Sequence, residues 1–166
     1  GNGSGSHLAL ELFNKMAGVR ITRIAYNGDG PANIDLLGGH VSVKFDNLST
    51  CLQNVRVGRL RALGVGNAKR MPSLPEFPTV AEAGLPGYEV QSWTGYMAPA
   101  KTPNAIVERL SAETRTAVGN PVFKDRMKSV GLDVDGGTPA AMLATMRSDT
   151  QRWAELIKAT GIAIPQ

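Results

Sequence analysis

The spacing of apolar residues changes twice early in the chain. "HLALELFNKMAG" sets Leu8, Leu12, Phe13 and Met16 three or four residues apart, as on one face of a helix. Gly18 comes next, where a helix C-terminus commonly takes a left-handed residue. "VRITRIAY" then alternates and is rich in β-branched residues, which predicts a strand over 19–26. A polar turn, "NGDG", leads into a short helix from Pro31 to Leu37, with proline at its first position. "HVSVKFD" reads as a second strand, "NLSTCLQNV" as a short helix and "RLRALGVG" as a third strand. Strand, short helix and strand in repetition predict an α/β fold with a parallel-rich sheet flanked by helices.

The pattern changes at "NAKRMPSLPEFPTVAEAGLPGY". Pro72, Pro75, Pro78 and Pro86 mark a loop, broken by one short helix that Thr79 and Glu82 would start as a capping box. "YEVQSWTGYMAP" is strand-like again and would carry the chain from one region to another. The remainder reads as helical. Thr102-Pro103, Asn120-Pro121 and Thr138-Pro139 each pair a capping residue with proline at the first helical position. The last helix sets Met142, Leu143, Met146, Trp153, Leu156 and Ile157 on one stripe, a pattern of core packing rather than of a cofactor box.

Composition narrows the function classes. The 166 residues fit one ordinary domain, or one lobe and part of another. A hydrophobic share of 42% and a charged share of 19% support a packed core rather than a disordered chain. No apolar run approaches the roughly eighteen residues of a spanning helix. The net charge of +4 is scattered, and Arg56, Arg59 and Arg61 lack the aromatic interleaving of a nucleic-acid surface. One cysteine, Cys51, excludes an internal disulfide, and two distant histidines give no support to a metal site.

Ligands of open α/β sheets sit beyond the carboxyl ends of the strands, where helix N-termini also point. Four segments fall at that edge: the opening turn Gly3, Ser4, Gly5, Ser6 and His7; the turn from Tyr26 through Gly28 and Asp29 to Gly30; Asp46-Asn47; and Gly66-Asn67. A helix N-terminus offers unpaired N–H groups and a partial positive charge, which suit a carboxylate or phosphate. Ser4 and Ser6 would add hydroxyl donors. Equally, Ser6 could simply cap the helix while the glycines make turns, and the residues alone leave both readings open. Catalysis has less behind it. Ser6 and His7 are neighbours without a separate base and orienting group, and Asp46 suits a hydrogen-bonding or capping role. "GNGSG" lacks the preceding strand and the later acidic residue of a dinucleotide site. No catalytic residue, metal or cofactor is assigned.

These segments, in this order, carry a resemblance. "GNGSGSHLALELFNKMAGV", "AYNGDGPANIDLLGGHVSVKFDN", "GRLRALGVGNAKR", "LPEFPTVAEAGLPGYEVQSWTGYMAPAKTP" and "RWAELIKATGI" resemble the Bug family, the TctC-like extracytoplasmic solute receptors of tripartite tricarboxylate transport systems. The resemblance covers essentially the whole chain and implies that the opening Gly/Ser run is native rather than a cloning scar. It implies a type 2 periplasmic-binding-protein-like lobe. Residues 1–92 would form the second ligand-binding lobe, and 93–166 a crossover strand with C-terminal helices that return to the first lobe. The chain would then be the C-terminal half of a flytrap receptor. The resemblance further implies a small carboxylate or amino-acid ligand, membrane permease subunits as partners, a periplasmic location with a signal sequence upstream, and no cofactor. Left alone, such a half is expected to pack its apolar stripes against one another, against a second copy, or against a retained N-terminal piece.

Two positions depart from the family's habit. Its turn commonly reads Tyr-Lys-Gly and then small residues, whereas here it is Tyr26-Asn27-Gly28-Asp29, which exchanges a cation for an anion near the predicted mouth. That disfavours a highly charged ligand. His40 stands where glutamine is common and is expected to face solvent at a turn. Two rivals come from other classes: the effector-binding domain of a transcription regulator, and a Ser/Asp-dependent enzyme. An upstream helix-turn-helix would mark the first, and turnover abolished by Ser6→Ala the second.

Overall fold

The computed structural model describes residues 3–161, and roughly half of them are helical. Six helices succeed one another: α1 (Gly5–Ala17), α2 (Asp29–Leu37), α3 (Leu48–Arg56), α4 (Asn104–Gly119), α5 (Pro121–Ser129) and α6 (Pro139–Thr160). Their ends obey local chemistry. Asn120 accepts from the Val122 and Phe123 amides, and Thr138 from that of Ala141, each with proline at the next position. Gly18 closes α1 at φ 65° and ψ 28°, the left-handed conformation expected of it. α4 differs: its cap is Pro103, one residue beyond the expected Thr102, and no side chain caps it. α2 begins at Asp29, two residues before the proline, with Asp29 in a first turn that favours an acid.

The predicted sheet is where structure and sequence part. Residues 19–26 and 43–47 run without helix, but among the described residues the single β-bridge is parallel and isolated, Val65 to Thr79. Around it the Val65 amide donates to Pro78 O (2.9 Å), Val80 to Val65 O (2.9 Å) and Val90 to Gly66 O (2.7 Å). Alternation within a segment sets which side chains face the same way. A ladder additionally needs a second backbone at the right distance and register, which no single segment encodes. Gly66 has to be glycine here, since a β-carbon would collide with the Val90 carbonyl.

The capping box of the proline-rich loop forms without its helix. Glu82 accepts from the Thr79 amide (2.9 Å) while the Thr79 hydroxyl accepts from the Glu82 amide (3.0 Å). The chain makes one turn and stops at Gly84, where φ is 130°, ahead of Pro86. The Thr79 amide and the Arg70 guanidinium hold the Glu82 carboxyl below its ordinary range.

The core lies under this loop. Leu52, Val65, Met71 and Leu74 are buried together, with Leu48 and Phe77 packed against them. A second buried group centres on Tyr88, whose hydroxyl donates to Ala9 O (3.0 Å) and whose ring meets Phe13 edge-on at 5.9 Å. Burial pushes its phenol up to about 12. Of the stripe expected on α1, Leu8 is buried, Leu12 and Phe13 are half-buried and Met16 is exposed, while all sides of the first turns are covered, with His7, Ala9 and Leu10 buried as well. α6 packs on α1 and buries Leu156, and Arg152 donates to Glu89 O. Leu143, expected on that stripe, is exposed. His40 is exposed in the bend after α2.

Candidate functional site

The expected site residues form two groups. The first is the start of α1. Ser4, rather than Ser6, is the N-cap, and its hydroxyl accepts from the His7 amide (3.3 Å). Gly3 takes φ 71°, so its amide reaches back to His7 Nδ1 (3.1 Å). His7 is buried with its Nε2 3.6 Å from Glu11, and burial, reinforced by Arg23, lowers its pKa. Nδ1 therefore acts as an acceptor, which leaves the proton on Nε2. Ser6 lies within the first turn, and among the described residues nothing accepts from the Gly5 and Ser6 amides. These are the orphan donors of a helix N-terminus, and they can take an anion. Gly1 and Asn2, the outer part of the Gly/Ser run, lie outside the described residues.

The second group gathers the starts of α2 and α3 around Lys44, a residue not singled out from the sequence. Its ammonium donates to Asn33 Oδ1 (2.7 Å) and pairs with Asp46 Oδ1 (2.9 Å) and Asp29 Oδ1 (3.1 Å). A period-two signal was available: Lys44 and Asp46 stand two apart in "HVSVKFD" and so share a face of extended chain. The anion at Asp29, expected near the mouth, has a cation beside it. Asp46 Oδ1 also accepts from the Asn47 amide (2.9 Å) and the Thr50 hydroxyl (2.8 Å), so this aspartate organises the start of α3. Asn47 is the N-cap but makes no side-chain capping bond. Asp46 Oδ2 is buried and has no donor among the described residues.

The turn before α2 is built the same way. Gly28 sits at φ 102°, which a side chain would resist. Tyr26 donates its hydroxyl to Asp35 Oδ2 (2.7 Å), and this bond raises the phenol's pKa. Phe13 and Phe45, 5.6 Å between centroids, tie α1 to the segment that carries Lys44 and Asp46. Of the fourth expected segment, Asn67 lines a shallow concavity with Arg70, Gln91 and Asp133, to which no residue of either group contributes. Helix N-termini, with orphan amides at the start of α1, suit non-covalent capture of a small acid, and the spare acceptor of Asp46 suits a donor group carried with it. Ser6 and His7 are not poised as nucleophile and base, since the imidazole's acceptor nitrogen is engaged by Gly3.

The chain matches the family model described as the tripartite tricarboxylate transporter family receptor, TctC, over residues 1–162. It is 42% identical over 158 residues to the UPF0065 protein in the tcbD-tcbE intergenic region of a Pseudomonas species, covering 95% of this chain and 47% of that one. The R. palustris protein Rpa4515, solved with adipate, superposes with TM-score 0.89 at 38% identity, over 97% of this chain and 54% of that one. The periplasmic binding protein BugD superposes with TM-score 0.84 at 35% identity, over 96% and 54%. The fold is therefore that of periplasmic binding proteins, and the chain spans about half the length of the proteins it matches. It belongs to the TctC family, the receptors of tripartite tricarboxylate transporters.

Proposed function

We propose that this chain is the ligand-capturing C-terminal half of an extracytoplasmic receptor, which binds a small carboxylate or amino acid for a tripartite tricarboxylate-type transporter. The observation that carries this reading is the start of α1, where the Gly5 and Ser6 amides find no acceptor among the described residues, in a member of a receptor family. Residues 1–92 serve as the second lobe, and 93–166 as the crossover and the helices that return to a first lobe. The receptor works in the periplasm and delivers its ligand to membrane permease subunits. It performs no chemistry on that ligand.

The residues divide the work. Gly5 and Ser6 offer amides, and Ser6 its hydroxyl, to the carboxylate. Gly3, Ser4 and His7 hold that turn in shape, while Tyr26, Gly28 and Asp29 shape the entry to α2. Asp46 and Asn47 face the ligand from the start of α3. Support comes from the adipate in Rpa4515, a dicarboxylate held by a protein 38% identical to this chain. Calorimetry on the full-length protein with a panel of carboxylic acids, adipate included, tests the reading. Ser6→Ala and Asp46→Asn should each weaken binding by about 1.5–3 kcal/mol, the loss of one hydrogen bond to a charged group. Unchanged affinity in both variants overturns the site, and no binding by any acid overturns the receptor reading.

A further inference from the structure

We infer that Lys44 sets the charge preference of this site, and that Asp29 is its built-in counter-ion, displaced when a ligand brings a second carboxylate. The inference rests on the receptor reading above and deepens it.

The three partners of Lys44 are unequal. An ammonium has three protons, and here they serve Asn33, Asp46 and Asp29. Asn33 at 2.7 Å and Asp46 at 2.9 Å are the inner pair, and the Asp46 side chain is only 6% exposed. Asp29 is the outer partner: its contact is longest, 3.1 Å, and its side chain is 45% exposed. The Lys44 side chain is itself 12% exposed, so its charge is shielded on most sides and reachable past Asp29. A carboxylate arriving at the start of α2 meets the same ammonium that Asp29 holds, and exchanges one anion for another. A neutral or cationic ligand end meets the Asp29 carboxylate already in place.

A second observation shows that this cluster is incomplete on its own. Asp46 Oδ1 takes three donors, Lys44, the Asn47 amide and the Thr50 hydroxyl, while the buried Oδ2 takes none among the described residues. Buried carboxylate oxygens are normally paired, so a donor group of the bound ligand or its water belongs beside Oδ2 once the site is filled, while the second carboxylate goes to Lys44.

Matched ligands separate charge selection from a structural role. Succinate and adipate would be titrated against their mono-amides, which keep the shape and remove one charge, into the full-length protein. Asp29→Asn should raise the ratio of dicarboxylate to mono-amide affinity about tenfold, the lower end of what one charge-assisted hydrogen bond is worth. Lys44→Met should lower the ratio, and the Asp29→Asn/Lys44→Met pair should lose the rise. If Lys44→Met does not fold, judged by circular dichroism, Lys44→Gln takes its place. A ratio unchanged in Asp29→Asn, or a rise that survives loss of Lys44, overturns the inference while wild-type binding leaves the receptor reading standing. Failure of every acid to bind wild type removes both.

Discussion

Residues 3–90 and residues 91–161 are built to different rules. The first region holds nearly all the buried side chains, from His7 through Leu52 and Leu74 to Tyr88. Beyond residue 90 only Gly131 and Leu156 are buried among the described residues. α4 and α5 bury nothing, and they leave Ile106, Leu110, Val122 and Phe123 exposed. Yet α5 and α6 carry well-formed caps and proline starts. Helix formation there obeys local chemistry, whereas the first region is held by contacts between distant segments. Every expected ligand contact lies in the tertiary-packed region, where a site can be held to fixed distances.

The largest test of this contrast is a pair of truncations. Leu52→Ala removes a side chain that is 2% exposed from the centre of the core, and should cost about 2–5 kcal/mol. Leu110→Ala, at a position 56% exposed, should stay within about 0.5 kcal/mol in this chain. Urea unfolding of both variants reads the difference. A large cost at Leu110 would mean that α4 meets a partner, such as a second copy, and the two regions would no longer differ.

Legibility divides along the same line. Gly18, Asn120 and Thr138 were readable because a cap needs only its own neighbours in sequence. Thr79 and Glu82 were readable as a box, yet the box closed a single turn, because Gly84 and Pro86 stop the helix that it starts. The expected strands were readable only as segments lacking helical period; among the described residues they form no ladder, because pairing needs a second backbone in register that no segment encodes. The candidate segments follow from where helices begin. Their wiring was hidden: Lys44 meets Asp29 and Asn33 across 15 and 11 positions, distances that only the folded chain brings together. The family resemblance implies a class of ligand without revealing that wiring.

Gly131 is the point where the second region touches the core of the first. It takes φ +77°, and a β-carbon there would stand 3.1 Å from Leu52 Cδ2 and 3.2 Å from Leu48 Cβ. Arg56 fastens the same corner by donating to Ser129 O (2.8 Å). Gly131→Ala should therefore destabilise by about 1–3 kcal/mol, through strain and crowding together. A neutral result in thermal unfolding would show that the corner is free to move and that the two regions are coupled less than the contact implies.

Ser4→Ala asks the same of the first region's local chemistry. Loss of the bond from the His7 amide to Ser4 Oγ should cost about 1 kcal/mol, as for other caps. Thr138→Ala, which breaks the bond from the Ala141 amide, should cost a similar amount in the second region. Equal costs would sharpen the contrast, because caps would then be equivalent and only the packing would differ. A much larger loss at Ser4 in chemical unfolding would show that the opening turn supports more than its own helix.

The smallest effect concerns pH and separates the regions by spectroscopy. Burial, and then Arg23, depress the pKa of His7, against the pull of Glu11. The unfolded chain therefore binds a proton at higher pH than the folded chain does. Stability from neutral His7 is complete above the unfolded value of about 6.5 and is lost as pH falls through the lower folded value. Protonation also places a hydrogen on Nδ1, which then cannot accept from the Gly3 amide. The opening turn should loosen first, seen as a shift of the Gly3 amide resonance and a modest fall in unfolding free energy. Trp93 and Trp153 both lie beyond residue 90, so their emission should stay constant over the same interval. His7→Gln, which retains an acceptor without titrating there, should abolish the dependence. Persistence of the slope in that variant would assign it to another group, and parallel movement of the tryptophan emission would show that the turn and the C-terminal helices respond as one unit.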